Sequence, residues 1–416
     1  MSKNNNNTPR LRFPEFTGEW GEKKLGDIGD TYNGLTGKSK EDFDNGNAKF
    51  ITFLNVLKNV VVDTNILGIV NVKDGEKQNR VQCGDMLFNT SSETPEEVGF
   101  CSVFSSDTEV PVYLNSFCFG YRYKDKSKYI PLFLAYYLRS SCGRQLMHKL
   151  AQGITRFNLS KEYFNKAVVY YPSPEEQKKI ADCLSEMDNL ISVQSQKVEL
   201  LKDQKKGMMQ QLFPQKGETT PRLRFPEFTG EWVVKKLGEV ASSFSGGTPK
   251  SSESKYYGGD IPFIRSGEIH GCKTELYITE EGLNKSSAKL VSKGDLLIAL
   301  YGATSGEVAI SKIDGAINQA ILCVRSQSIN SNYLCNYLEY KKDTITSKFL
   351  QGGQGNLSSD IIMSLNIPSP SPAEQEKIAS CLSALDDQIA TETEKLTALK
   401  DYKKGLMQQL FPQPAK

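Results

Sequence analysis

Apolar residues recur at three- and four-residue spacing along two long stretches of this chain. In the first they fall at Ile180, Leu184, Met187, Ile191, Val198, Leu201, Met208 and Leu212. In the second they fall at Ile378, Leu382, Leu385, Ile389, Leu396, Leu399, Leu406 and Leu410. Such a stripe is the seam of a helix that packs against another helix. Polar residues interrupt it at matching points, Gln194 and Lys205 in one copy, Glu392 and Lys403 in the other. Each stretch opens with a helix start, Ser173-Pro174-Glu175-Glu176 and Ser371-Pro372-Ala373-Glu374. Ser can accept from the N3 amide, Pro at N1 loses nothing by lacking an N–H, and Glu at N3 can complete a capping box. Pro214 and Pro412 stop the helices. A helix over 174–212 would be roughly 58 Å long. A seam of that length needs a partner, and the nearest match is the other copy. Packed antiparallel, the two would place the segments between them at opposite ends. Gly207 and Gly405 cost ~1 kcal/mol each relative to Ala inside a helix, and close approach by a neighbour would be a reason to keep them.

The two seams belong to a wider duplication. Ser173 to Gln215 returns as Ser371 to Gln413, an offset of 198 residues. Thr8 to Trp20 returns letter for letter as Thr220 to Trp232, an offset of 212. The blocks between, 27–172 and 239–370, are largely unlike each other. The chain therefore reads as two half-units, each a short strap, a variable block and a framework helix. This gives four segments: 1–172, 173–215, 216–370 and 371–416. Identical frames around different inserts suit a molecule that presents two different readings in one fixed geometry. In the straps, Phe13, Phe16, Trp20, Phe225, Phe228 and Trp232 are expected to be buried in a groove. Arg10, Arg12, Arg222 and Arg224 could touch phosphate, but a structural anchor is the preferred reading.

Within the blocks the period shortens. Phe50-Ile51-Thr52-Phe53-Leu54, Val60-Val61-Val62 and Val112-Tyr113-Leu114 read as strands, as do Ile261-Pro262-Phe263-Ile264 and Leu296-Leu297-Ile298-Ala299-Leu300. A short helix is expected near 130–150, and another around Asn332 to Leu338. Faint matches survive: Gly84-Asp85-Met86-Leu87-Phe88 parallels Gly294-Asp295-Leu296-Leu297-Ile298, and Asn158-Leu159-Ser160 parallels Asn356-Leu357-Ser358. One fold with divergent surface chemistry explains these better than two unrelated domains.

Composition narrows the chemistry. The 416 residues are 38% hydrophobic and 24% charged, with a net charge of +2, so a nucleic-acid binder of this composition must gather its basic residues on one face. Nine cysteines form no C-x-x-C pair, which indicates neither a disulfide framework nor a zinc ribbon. No run reaches the ~18 apolar residues of a membrane span, and the N-terminus lacks the apolar stretch of a signal peptide, so the cytoplasm is the expected compartment. Only two histidines occur, His148 and His270, at non-equivalent places; neither suggests catalysis or a metal. Gly37-Lys38-Ser39 resembles the end of a phosphate loop but has Tyr32 where the first glycine belongs. Glu22-Lys23-Lys24 has lost its acid in the repeat, Val234-Lys235-Lys236. No Asn/Asp-Pro-Pro-aromatic tetrad of an amino-methyltransferase is present. No catalytic residue is therefore assigned.

Two variable blocks, each followed by a helix that opens Ser-Pro-x-Glu-Gln-x-Lys-Ile and closes Lys-Lys-Gly-x-Met-Gln-Gln-Leu-Phe-Pro, resemble the specificity subunit of Type I restriction–modification systems. The resemblance covers nearly the whole chain. It implies an α+β fold of two strand-rich target recognition domains, joined by two long helices forming an antiparallel coiled coil. It also implies that each domain reads half of a split DNA site, while the helices act as a spacer and help to recruit partners. Those partners would be two modification subunits, forming an adenine-N6 methyltransferase, and two restriction subunits, forming an ATP-dependent endonuclease. S-adenosylmethionine, ATP and Mg2+ would then be bound by the partners and not by this chain.

Base edges in the major groove are read best by Arg, Lys, Asn, Gln, Ser and Thr, while phosphate contacts supply affinity without sequence choice. The candidate readers in the first block are Lys38, Lys40, Asn55, Lys58, Asn89, Thr90, Arg156 and Asn158. In the second they are Thr248, Lys250, Arg265, Ser266, Thr304, Ser305, Gln319, Gln354 and Asn356. Gln351-Gly352-Gly353-Gln354-Gly355-Asn356 stands out, because its glycines would let backbone and amides approach a groove closely. Two other classes compete with a DNA-specificity subunit: a free-standing methyltransferase–nuclease, and a two-headed protein-interaction scaffold.

Overall fold

The computed structural model of the chain describes residues 7–350 and 356–412. Two long helices are present where the seam predicts them, Pro174–Leu212 and Pro372–Gln409. The chain divides into two compact units, one of Met1–Gln194 with Lys395–Lys416, the other of Ser195–Glu394. Each long helix thus gives one half to each unit, a different division from the four linear segments.

Within each unit the two half-helices run antiparallel, and the seam supplies the contact. In the first unit Ile180, Ala181 and Leu184 share a core with Leu410 and Phe411. In the second, Met209, Leu212 and Phe213 share one with Ile378, Ala379 and Leu382. Val198, Leu201, Leu385 and Leu396 are also buried, whereas Met187, Ile191, Ile389 and Leu399 are only half-buried. Ser173 and Ser371 accept from the Glu176 and Glu374 amides, both at 3.3 Å. The expected capping box is not completed, because the two carboxylates turn to arginines of the straps. Nor do Gly207 and Gly405 mark close contacts: a Cβ at either would meet open space.

The recognition blocks share one topology. In the first unit a four-stranded antiparallel sheet has the order Gly29–Asn33, Cys118–Tyr123, Asp85–Asn89, Cys101–Phe104. In the second unit the order is Ala241–Ser245, Ile321–Ser326, Leu296–Ala299, Val308–Ile310. Leu87 lies opposite Gly120, and Leu297 lies opposite Cys323. The faint Gly-Asp match is therefore a structural equivalence. Its physical basis is a bidentate ion pair: Arg122 grips the fully buried Asp85 at 2.7 and 2.6 Å, and Arg325 grips Asp295 at 2.9 and 2.5 Å.

A second sheet, three-stranded in the first unit and four-stranded in the second, contains one parallel pairing in each, Phe43–Ile51 with Val112–Leu114 and Tyr257–Ile264 with Gly315–Ile317. The sequence placed a strand over 50–54, but the strand ends at Ile51 and a helix covers Phe53–Lys58. Thr52 accepts from the Asn55 amide and starts that helix. Val60–Val62 forms a single bridge through Val61 and Val103 rather than a strand. The expected short helix near 130–150 is two, Pro131–Arg139 and Ser141–Leu150, with Ser140 capping the second. Its counterpart is one helix, Ser331–Leu350.

The straps bind each block to the framework in the same way. Arg12 forks onto Glu176 at 2.7 Å through both Nε and Nη2, and Arg224 onto Glu374 at 2.7 and 2.8 Å. The guanidinium nitrogen left over binds the Gly18 or the Gly230 carbonyl. Trp20 stacks edge-on against Phe133, and Trp232 against Tyr333, each such pair adding about 0.5–1.5 kcal/mol beyond area burial. Both tryptophans are buried, but Phe13, Phe16, Phe225 and Phe228 are only half-buried, so no groove encloses the whole strap. Short antiparallel pairs, Gly21–Lys24 with Val168–Tyr171 and Val233–Lys236 with Asn366–Ser369, then close each block onto itself.

Candidate nucleic-acid interface

One end of the four-stranded sheet gathers polar loops in each unit, and backbone bonds fix those loops in equivalent positions. In the first unit the Thr90 amide donates to the Phe117 carbonyl at 3.0 Å, and the Leu159 amide donates to the Thr90 carbonyl at 2.8 Å. In the second unit Leu300 donates to Ala320 at 2.8 Å, and Leu357 donates to Leu300 at 3.0 Å. Thr90, Phe117 and Asn158 thus correspond to Leu300, Ala320 and Asn356. The intervening turn is built alike as well. The Asn115 side chain accepts from the Phe117 amide at 2.8 Å, and Asn318 accepts from Ala320 at 3.1 Å. Such Asx turns hold a loop without help from a core.

Several predicted readers meet here. Thr90 is half-buried, its hydroxyl held by the Phe117 carbonyl at 2.7 Å, and Asn158 and Arg156 are exposed on the hairpin Ala151–Gln152 with Phe157–Leu159. Gly153 shapes the tip of that hairpin: its φ is 129°, and a Cβ there would lie 2.0 Å from the Arg156 carbonyl oxygen. Lys161, just after that hairpin, reaches the Asn33 side chain. Glu97 is drawn back onto the Ser92 hydroxyl at 3.0 Å. In the second unit Thr248 and Gln319 are exposed and joined by a hydrogen bond of 2.6 Å, and Asn356 is exposed. Thr304 is half-buried in the turn after the strand Leu296–Ala299. Gln354 lies outside the described residues.

Other predicted readers do not belong to such a surface. Asn55 is fully buried, and its amide is spent on the Asp63 backbone, donating at 2.8 Å and accepting at 3.0 Å. Asn89 is also fully buried, donating to the Glu97 carbonyl at 2.9 Å. Ser305 is buried with its hydroxyl on the Leu300 carbonyl. Lys38 has its ammonium 2.6 Å from Glu76, a partner that pushes the glutamate pKa down to about 2. Arg265 forks onto Glu268 and Glu275, which raise its pKa. An Asn or an Arg in a polar run can as readily stabilise its own loop as face a ligand. Lys40, Lys58 and Lys250 are exposed and Ser266 is half-buried, but among the described residues no side-chain bond ties them to the loop clusters above. Lys161, Phe117 and the exposed Tyr301 are at the clusters and were missed, because the fold rather than the sequence brings them there.

All nine cysteines carry free thiols. Among the described residues no cluster of His, Cys, Asp and Glu could hold a metal ion, and no helix is long and apolar enough to cross a membrane. His270 lies 3.3 Å from Glu307, itself paired with Lys342, and His148 is exposed.

The profile of the Type I restriction modification DNA specificity domain matches residues 17–203 and 229–401, one copy over each half of the duplication. The chain belongs to this family. Among its relatives, a Methanocaldococcus jannaschii protein assigned as the type I restriction enzyme MjaX specificity subunit is 26% identical, over 97% of this chain and 96% of that one. The EcoR124I/EcoR124II specificity subunit of Escherichia coli is 28% identical over 42% of this chain and 45% of its own length. The crystal structure of the Type I S subunit from M. genitalium superposes with a TM-score of 0.61 at 16% identity, covering 98% of this chain and all of that one. The protein is thus a Type I specificity subunit, by family the component that is not itself catalytic.

Proposed function

We propose that each unit of this specificity subunit reads one half of a bipartite DNA site through the loops at the end of its four-stranded sheet. The paired long helices serve as the spacer that sets the unread gap. Two modification subunits are recruited to the repeated framework, and two restriction subunits complete the endonuclease. S-adenosylmethionine, ATP and Mg2+ bind to those partners, and this chain contributes recognition alone.

One observation carries this reading. The framework contacts recur in both units, as in Arg12–Glu176 and Arg224–Glu374, and so do the backbone bonds that mount the loops. The side chains on the mounted loops differ: Thr90 and Phe117 have no like counterparts in Leu300 and Ala320. A constant mount with changed side chains alters what is read without altering how the reader is held.

The test is co-expression with the cognate modification subunit in a methylation-free host, followed by genome-wide mapping of N6-methyladenine. A split motif of two short half-sites about a fixed gap supports the reading. An assembled complex that methylates nothing refutes it and favours a protein-interaction scaffold.

A further inference from the structure

The loop Asn115–Cys118 exposes a phenylalanine where a folded protein gains nothing from one. Phe117 is 57% exposed, yet its backbone is held from three sides. Its amide donates to the Asn115 side chain, and its carbonyl accepts both from the Thr90 amide and from the Thr90 hydroxyl. Gly34 packs so closely on the preceding turn that a Cβ there would lie 2.1 Å from the Asn115 carbonyl oxygen. The ring is therefore displayed on a rigid mount.

The polar groups around it suit a DNA groove. Thr90 lies beneath it, Asn158 stands on the adjoining hairpin, and Asn33, next to Gly34, is contacted by Lys161. The loop itself, Asn115-Ser116-Phe117-Cys118, carries no carboxylate to repel phosphate. The second unit supplies an internal control. At the same place in an equally built turn it has Ala320, buried, preceded by the exposed Gln319. The aromatic side chain is thus not a requirement of the turn.

We propose that Phe117 is a specificity-determining residue of the first unit, contacting the C5-methyl group of a thymine in the major groove of its half-site. The methyl group is the one apolar feature of a base edge, and contact with Phe is a recognised way to read it. Asn158, exposed on the adjoining hairpin, can bond the polar edges beside that methyl, whereas the Thr90 hydroxyl, donating to the Phe117 carbonyl, can only accept from them. The inference rests on the reading above, that these loops face DNA.

Deoxyuridine lacks only this methyl, so the test uses the assembled complex of this chain with its modification subunit. Each thymine of the mapped half-site is replaced in turn by deoxyuridine, and binding is measured for the wild-type complex and for Phe117→Ala. One replacement, in the half-site of the first unit only, should weaken wild-type binding about fourfold, the worth of a buried methyl-sized group. Phe117→Ala should bind the thymine site about as weakly as wild type binds the deoxyuridine site, and should no longer distinguish the two. Persistent discrimination by Phe117→Ala, or indifference of the wild type at every thymine, overturns the proposal. Both results are read on a complex already shown to methylate a split site, so they separate failure of Phe117 from failure of the bipartite reading. The deoxyuridine series needs no variant at all, so the test does not depend on the folding of Phe117→Ala.

Discussion

Lys205 lies 2.7 Å from Asp386, joining the C-terminal half of one long helix to the N-terminal half of the other. Lys403 and Asp188, at the equivalent positions 198 residues away, make the same pair at 2.5 Å. The two lysines are therefore not defects in the apolar seam. Each replaces a hydrophobic contact by a charge that has a partner in only one register, a device that specifies alignment in helix pairs. Surroundings differ: Lys205 also reaches Glu339 at 2.7 Å, whereas Asp188 also accepts from the Tyr136 hydroxyl at 2.8 Å.

Replacement of Lys205 by Ala leaves Asp386 and Glu339 facing each other without a cation. Burial lowers the Lys205 pKa, but the bonds it donates to Asp386 and Glu339 outweigh that effect and raise it. Because both carboxylates are nearly half exposed, water recovers part of the loss, and a destabilisation of about 1–2 kcal/mol is expected. Denaturant unfolding of Lys205→Ala, Asp386→Ala and the double variant checks this. The cycle should show coupling, with the double variant less destabilised than the sum.

Gly207→Ala and Gly405→Ala should each stabilise the chain by up to ~1 kcal/mol. Both glycines lie within helices, and a Cβ at either meets nothing. A rise in the denaturant midpoint without change of slope is the expected result. A fall would mean that the helix backbone is approached more closely than these contacts indicate.

Acid should unfold the chain in part through its ion-paired carboxylates. Burial raises the Asp295 pKa, but the bonds from Arg325 and the Ser292 amide outweigh it and the pKa is lowered. Glu307 is lowered chiefly by its bond to Lys342, against burial. A depressed carboxylate gives stability that is complete above its unfolded value, near 3.9 for Asp and 4.3 for Glu, and lost as pH falls through the lower folded value. Melting temperature should therefore drop below about pH 4, and Asp295→Asn should flatten that limb while lowering stability at neutral pH. An unchanged acid limb in Asp295→Asn would remove the pair from the account.

The long helices were legible in the sequence because their signals are local: period, cap and stop lie within a few residues of one another. The equivalence of the two blocks was legible only faintly, in Gly84–Phe88 against Gly294–Ile298, since most residues that make the sheets alike are interchangeable hydrophobics. The interface was read least well. Asn55 and Asn89 have the chemistry of base readers but are buried, and nothing in their neighbours announces it. Nothing in the sequence sets Phe117 apart from the apolar residues around it, and its exposure follows from where the Asn115 turn leaves it.

Exchange of the first recognition block for that of another system should change one half-site only. The natural junctions are the strand pair Gly21–Lys24 and Val168–Tyr171, where the block begins and ends side by side. Methylome mapping of the hybrid, assembled with the original modification subunit, should return the second half-site unaltered. A change in both halves would show that the two readings are not independent.

The strap arginines can be tested for the structural anchor that the sequence favours against a phosphate contact. Arg12 is mostly buried on Glu176, whose side chain is 2% exposed, and Arg224 on Glu374 matches it. Arg12→Met should therefore destabilise the chain by about 1–3 kcal/mol, because a buried carboxylate loses its partner. A phosphate contact predicts something else: binding to DNA would weaken on every sequence, and the slope of log affinity against log salt would shrink by about one. The fork onto Glu176 engages the same edge of the guanidinium that a phosphate would need. Titration of the assembled complex at several salt concentrations should accordingly give Arg12→Met the slope of the wild type, with the loss confined to thermal stability. A smaller slope together with an unchanged melting temperature would instead make the strap part of the DNA interface.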